Sequence, residues 1–409
     1  MGMRQRARHL FLIARVHEVA LKGANRPWFM RTLVGNLEYA LSGLPHGRIQ
    51  VRNLRVLVPL SELESWPAFR ERLDWVFGVS SYGLALETGT SVQSLTAGLD
   101  RLLELTGPPP GSFCVRVKRT NKGYPLTSPE LERILGQHIQ ERTGAPVNLT
   151  APTVTYRVDL LYDRALLTGE EYRGPGGLPV GVSGRVVVLL SGGFDSPVAA
   201  YRMMKRGCFL TLVHCHAYPY VRPTSIEKVI SIAQHLGRYQ PGMRLHIVPI
   251  GDAQREIALA APPELRVVLY RRLMLRIATA IAHEQGAGAI VTGESLGQVS
   301  SQTLENMRAI GAVTDLPLLR PLVGFNKDEI MAEAVRIGTE PISRIRDDDC
   351  CTVFVPLHPT AHATLEEATA AERLFDPAAL VQACLARRTD YDGDPATWDV
   401  SAALLAATG

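Results

Sequence analysis

Residues 185–196, RVVVLLSGGFDS, are the stretch of this chain best equipped for chemistry. The branched residues Val186, Val187, Val188 and Leu189 form an apolar strand that runs straight through Leu190 into Ser191-Gly192-Gly193-Phe194-Asp195-Ser196. A helix is expected over SPVAAYRMMKRG, with Pro197 near its start and Gly207 at its end. Adjacent glycines permit a sharp turn that points several backbone N–H groups at one anion, and the helix N-terminus adds positive field there. Ser191 and Ser196 can donate hydroxyl hydrogen bonds to phosphate oxygens. Asp195 can cap the helix, hold Mg²⁺, or orient a pyrophosphate leaving group through a bound cation.

The loop is not GxxxxGK[ST], since no lysine stands where it would reach terminal phosphates, and it is not GxGxxG. It resembles instead the pyrophosphatase loop of enzymes that cleave ATP between the α and β phosphates and leave an adenylated intermediate. That resemblance disfavours γ-phosphoryl transfer and implies that ATP activates a substrate.

The elements around the loop have a regular order. VVVLL, CFLTLVH, RLHIVPI and GAIVTG are short apolar runs separated by helical segments, as buried parallel strands in a doubly wound α/β sheet read. The glycine- and proline-rich segment EYRGPGGLPVGVSGR separates this region from what precedes it. Ahead of it stand two small α+β units. In the first, LFLIARV (10–16) and RVLVPL (55–60) are strands, a helix opens at Pro27, and a second helix is expected within SELESWPAFRERLDWVF. In the second, GLALE, FCVRVKR (113–119), TVTYRVDLLYD and ALLTGEEY are strands, the last two an antiparallel pair. Its helices are SVQSLTAGLDRLLEL and SPELERILGQHIQERTG, the latter with Ser128 as expected N-cap.

At 409 residues, 46% hydrophobic and 21% charged, the composition is that of a globular protein of two or three domains. No apolar run reaches the length of a membrane span, and the short apolar stretch after the basic N-terminus reads as a strand, not a signal peptide. Six cysteines (Cys114, Cys208, Cys215, Cys350, Cys351, Cys384) without framework or CxxC spacing fit a reduced, cytoplasmic setting and no zinc ribbon. Residues 1–60 carry ten Lys or Arg against two acids, whereas residues 347–409 carry eleven acids against three Arg. The basic front suggests a polyanionic partner, and the acidic, Ala-rich tail is expected to be helical and to stay away from it.

Further segments decide among the adenylating enzymes. EVALKGANRPWF (18–29), FCVRVKRTNKGYPLTS (113–128), GPGGLPVG (174–181), VTGESLGQVSSQTLENM (291–307) and DDCCTVF (348–354) stand in the order of the tRNA 4-thiouridine synthetases. On these motifs the chain, over residues 8–355, resembles that tRNA sulfurtransferase family. The resemblance implies a ferredoxin-like domain over 1–75, a THUMP RNA-binding domain over 76–170 and a pyrophosphatase domain over 171–356, with 357–409 an acidic helical extension. It further implies adenylation of the C4 oxygen of uridine 8 in tRNA, displacement of AMP by sulfur to give 4-thiouridine, and action as a homodimer. Arg116, Lys118, Arg119 and Lys122 fall within an acid-free stretch suited to tracking phosphates, and Lys22 and Arg26 extend that patch. Tyr124 stands among them as a base-stacking or a packing residue.

The rule that ligands lie beyond the carboxyl ends of parallel strands selects Leu189 and Leu190, His214 and Cys215, and Gly293. By the resemblance these surround the adenosine, mostly through backbone groups and apolar contact, and Arg271 and Gln302 are further nucleotide contacts, while Ser191, Gly192, Gly193 and Ser196 of the loop bind the phosphates of ATP. Lys327 matches a lysine implicated in activity, where a point charge can stabilise charge developing during adenylation. Cys350 matches the sulfur-carrying position, with Cys351 its close competitor; Arg344 and Arg346 favour a thiolate there, while Asp347, Asp348 and Asp349 oppose it. No segment resembles the rhodanese domain of longer relatives, which leaves the donor open between a cysteine desulfurase persulfide and sulfide and makes a role in thiamine thiazole synthesis doubtful. An iron–sulfur cluster on Cys215, Cys350 and Cys351 is the other arrangement left open. An amide-forming adenylase of the NAD-synthetase sort would need neither the RNA-binding front half nor such cysteines, and the intact SGGFDS argues against a tRNA-binding protein with a relict nucleotide fold.

Overall fold

A computed structural model describes residues 9–52, 54–346, 353–354, 359–399 and 401. The chain divides into two compact units, residues 1–178 and 179–409, within the glycine-rich segment.

In the first unit the elements run β1 (Leu10–Arg15), α1 (Arg26–Ala40), β2 (Gln50–Arg52), β3 (Arg55–Pro59), α2 (Trp66–Leu73), β4 (Ser81–Thr88), α3 (Val92–Thr106), β5 (Phe113–Arg119), α4 (Ser128–Thr143), β6 (Val154–Leu160) and β7 (Ala165–Arg173). The sequence presents these as two successive units, but their strands form one sheet of order β2-β3-β1-β4-β7-β6-β5. The join is β4, which pairs antiparallel with β1 on one side and β7 on the other. The sheet is strongly curved. Arg15 of β1 and Arg55 of β3 both bind Asp159 of β6, although β3 and β6 stand four strand positions apart in the order, about 19 Å in a flat sheet. Only curvature lets those side chains meet. The helix N-cap expected at Ser128 is Thr127, whose hydroxyl accepts from Glu130 N while Glu130 accepts from Thr127 N at 2.7 Å, a complete capping box.

The second unit comprises β8 (Arg185–Leu189), α5 (Asp195–Lys205), β9 (Phe209–His216), α6 (Thr224–Gly237), β10 (Met243–Pro249), α7 (Gly251–Ala260), α8 (Arg266–Gln285), β11 (Ile290–Val291), α9 (Leu304–Gly311), β12 (Leu318–Leu319), α10 (Lys327–Ile337), α11 (Glu340–Ser343), α12 (Leu365–Glu372), α13 (Pro377–Ala386) and β13 (Thr389–Gly393). Its sheet has order β12-β11-β8-β9-β10-β13, parallel throughout except at β13. Leu269, Leu273, Ile277 and Ile281 recur every fourth residue on α8 and share one core with Val187, Val213, Val248 and Ile290 of the strands. Each such buried side chain stabilises the fold by about 1.5–3 kcal/mol.

The acidic tail is not a separate helical extension. α12 and α13 place Ala368, Ala371, Leu380 and Val381 in the same core, and β13 adds an antiparallel edge to β10 from Met243↔Gly393 to Ile247↔Thr389. Aspartates mask that strand in the sequence, but Tyr391 at its centre is buried and Asp390 accepts from His246 Nδ1 at 2.7 Å. The tail's acids also supply buried counter-charge, since Glu372 binds Arg272 at 2.6 Å and Arg276 at 2.9 Å. Burial pushes the Glu372 carboxyl up, but the bonds from the two arginines outweigh it and hold the group below its ordinary value. A depressed carboxylate stabilises above its unfolded pKa and loses that contribution as pH falls through the folded value. Glu372→Ala strands Arg272 in the core and is expected to cost about 3 kcal/mol near neutral pH in urea unfolding. The gap to the wild type should narrow below about pH 4.

Candidate functional site

The phosphate loop is built where the sequence places it, in the turn from β8 to α5. No side chain caps α5: Phe194 is its N-cap, and Asp195 is its first residue and does not cap it. The loop is laced by its two serines. Ser196 Oγ accepts from Ser191 N at 2.8 Å and donates to Ser191 O at 3.2 Å, and the two hydroxyls lie 3.1 Å apart. Gly293, beyond β11, lets a second backbone segment press against the start of the helix. A Cβ there would stand 2.7 Å from Ser196 N and 2.9 Å from the carbonyl carbon of Asp195.

These segments enclose a cavity of about 410 Å³ at the carboxyl ends of the parallel strands. Leu189, Leu190, Ser191, Gly192, Gly193, Asp195 and Ser196 line one wall. His214 and Cys215 from the end of β9, Arg271 from α8, Gly293 and Gln302 complete it, so every residue selected from the sequence as a nucleotide contact borders one space. His214 is fixed through Nδ1 against Leu190 O at 2.9 Å, and burial drives the neighbouring His216 down to about 3, so that His216 is neutral. Gln302 is buried, and its Oε1 has no hydrogen-bond partner among the described residues.

Asp195 is the carboxylate nearest the loop. Burial raises its pKa, while Gln298 at 3.5 Å and the charge of Lys327 pull it back. Lys327 opens α10 inside a capping box made by Asn326 and Glu329, and its ammonium acts on Asp195 through space. Lys228, Glu294, Gln298 and Arg320 also line the cavity and were not selected from the sequence. Glu294 directly follows the strand-end glycine Gly293, a position that could have drawn notice, whereas Lys228 on α6 reads as an ordinary helical lysine. It is buried, and its Nζ donates to Ile345 O at 2.7 Å and Ser343 O at 3.3 Å. Ser343 Oγ in turn donates to Gly193 O at 3.1 Å, which ties the end of α11 to the phosphate loop.

Cys350 and Cys351 lie outside the described residues, as do Asp347, Asp348 and Asp349. The described residues flanking them are anchored at Lys228 and Gly193 on one side. On the other, Phe354 O accepts from Arg266 at 3.2 Å and its ring meets Tyr220 at 5.3 Å. Among the described residues no group of three or more His, Cys, Asp or Glu side chains is placed to hold a metal ion. The described cysteines Cys114, Cys208, Cys215 and Cys384 are buried, and burial pushes the Cys384 thiol up to about 12.

On the first unit, Lys118 and Lys122 are exposed on and just past β5. Arg116 donates to Leu149 O at 2.8 Å and Arg119 to Leu126 O at 2.6 Å, so both shape the turns beside that strand. Tyr124 donates to Thr90 O at 2.7 Å, a packing role. Arg26 braces the preceding loop through Ala20 O at 2.9 Å, and the Lys22 ammonium lies 5.5 Å from the Phe29 ring centre.

A pyrophosphatase-type loop on a doubly wound sheet, preceded by an α+β unit with a basic strand, defines a class of nucleotide-dependent RNA-modifying proteins. Residues 181–376 match the family model described as Thiamine biosynthesis protein (ThiI), residues 11–83 the ThiI ferredoxin-like domain, and residues 90–170 the THUMP domain. A probable tRNA sulfurtransferase of Thermus thermophilus is 48% identical over 357 residues, 87% of each chain. One of Moorella thermoacetica is 42% identical over 376 residues, 91% of this chain and 95% of its own. The crystal structure of a 4-thiouridine synthetase–RNA complex with bound ATP aligns with a TM-score of 0.85 at 31% identity, covering 94% of this chain and 100% of that one. A protein from Pyrococcus horikoshii shares the fold, with a TM-score of 0.62 at 22% identity, over 80% of this chain and 99% of its own. The chain belongs to the tRNA sulfurtransferase family.

Because the Gly293 contact is backbone against backbone, Gly293→Ala must displace either the strand end or the loop. A shift of that size is expected to lower ATP–pyrophosphate exchange about 100-fold with an unchanged circular dichroism spectrum.

Proposed function

We propose that this protein uses ATP to adenylate the C4 oxygen of uridine 8 in tRNA and then exchanges that oxygen for sulfur, giving 4-thiouridine. The observation that carries the reading is the convergence of the nucleotide-contact residues on one cavity around an uncapped helix start. The uridine oxygen attacks the α-phosphate, pyrophosphate leaves, and the incoming sulfur then displaces AMP. N–H groups of the glycine turn and of the first turn of α5 are set to hold the phosphates, and the Lys327 charge opposes the negative charge that builds up at transfer. Asp195 suits Mg²⁺: its partly buried carboxylate, raised by desolvation, gains from a cation beside the phosphates, and the ion would supply charge neutralisation there.

Arg116, Lys118, Arg119 and Lys122, with Lys22 and Arg26, are assigned to the tRNA backbone, the exposed Lys118 and Lys122 foremost. The sulfur carrier is assigned to Cys350, which stands five residues beyond the anchored Ile345. Assembly as a homodimer and a cytoplasmic location belong to the same reading. No helix among the described residues is long and apolar enough to cross a membrane.

Mass spectrometry of tRNA incubated with the protein, ATP and either sulfide or a cysteine desulfurase with cysteine tests the reaction and its donor together. An S-for-O mass gain on uridine 8 is expected, and no gain under either supply sinks the reading. Pyrophosphate exchange that proceeds without tRNA would point to an amide-forming adenylase instead. Asp195→Ala should lose pyrophosphate release by at least about 100-fold. Cys350→Ala should retain it while losing the near-ultraviolet absorbance of 4-thiouridine, and thiolation by that variant would remove Cys350 as carrier.

A further inference from the structure

One wall of the cavity carries a charge arrangement of which the proposed reaction uses only Arg271. Glu294, just beyond β11, is 5% exposed and accepts three hydrogen bonds. They come from Arg271 Nη1 at 3.1 Å, Arg320 Nε at 2.7 Å and Thr292 Oγ1 at 2.9 Å. Arg271 belongs to α8, whereas Arg320 directly follows β12, so the carboxylate draws together two cations from separate elements. All four side chains border the cavity. The single carboxylate thus fixes the Nε edge of Arg320 against a mostly buried wall.

Arg320 is the member with capacity left. Its Nε is committed to Glu294, and its guanidinium donates no other hydrogen bond among the described residues. A guanidinium carries five N–H donors in a rigid plane, so fixing one edge on a buried carboxylate aims the others. The bases and ribose of a nucleotide are neutral, so a guanidinium with N–H donors left gains most from a phosphate, with charge-assisted bonds about twice as strong as neutral ones.

We propose that Arg320 is a phosphate-binding residue of the nucleotide site and that Glu294 is the positioning residue that holds its guanidinium in place. This rests on the nucleotide reading above and adds to it a residue whose effect depends on the ligand's charge.

Calorimetric titration of the full-length protein with ATP, AMP and adenosine, for wild type, Arg320→Gln, Arg320→Lys and Glu294→Gln, tests it. Arg320→Gln should weaken ATP about tenfold or more while adenosine stays within about twofold. Arg320→Lys should recover part of the loss, because it restores charge without the planar fork. Glu294→Gln should fall between wild type and Arg320→Gln, again for ATP and not for adenosine. Equal weakening of ATP and adenosine marks a merely structural role and overturns the proposal, as does an unchanged ATP affinity in Arg320→Gln. A variant that fails to fold leaves Arg320→Lys to decide on the same ratio. A wild type that binds no ATP overturns the nucleotide reading itself, an outcome distinct from a wild type that binds ATP with variants of unaltered ligand preference.

Discussion

The first turn of α5 has N–H groups that its own helix cannot satisfy, and the cavity is arranged around that deficit. Phe194 offers no capping oxygen, and the Ser196 hydroxyl that might have served is bonded back to Ser191. The turn is thus laced by its own serines, which take up the amides of Ser191 and Gly193, while no side chain caps the first turn of α5. Gly293 closes the other side at a distance no side chain tolerates, which fixes the loop without covering it. A phosphate is the group that best completes such a site, since it accepts several bonds at once and meets the helix field.

Charges around the deficit are balanced through partial burial. Asp195 would be easier to ionise in water than where it stands, and only Gln298 and the Lys327 ammonium offset that cost. Lys228 works differently: it is buried and its ammonium is spent on carbonyls of the segment leading toward the cysteines. The chain leading toward Cys350 is thereby fastened to the phosphate loop, since Ser343 reaches Gly193 from it.

Much of this was legible in the residues, for identifiable reasons. The strand-loop-helix at 185–205 announces itself because glycine, serine and a run of branched residues stand at fixed local spacing. The strand-end rule pointed to His214, Cys215 and Gly293, which border the cavity, because parallel strands share one carboxyl edge. Arg320 stayed hidden because it looks ordinary without its partner Glu294, 26 residues away, whose own strand-end position was the one local signal. The edge strand Thr389–Gly393 was obscured by aspartate and glycine, which disfavour strands until a partner such as β10 supplies bonds. Thr127 overtook Ser128 as a cap by a single residue, the scale on which helix boundaries are poorly marked. Cys350 was legible only through resemblance, and it falls outside the described residues.

The strand β4 has one further consequence. The two family models that match the first unit end at residue 83 and begin at residue 90, so most of Ser81–Thr88 lies in the gap between them. Yet this strand carries the ladder from β1 on one edge and from β7 on the other. A cut at that seam would expose a bare edge on each fragment, open to pairing with any passing strand. The front half of the molecule is therefore one inheritable piece. Its two named modules could be exchanged between proteins only by lineages that also rebuilt the strand they share.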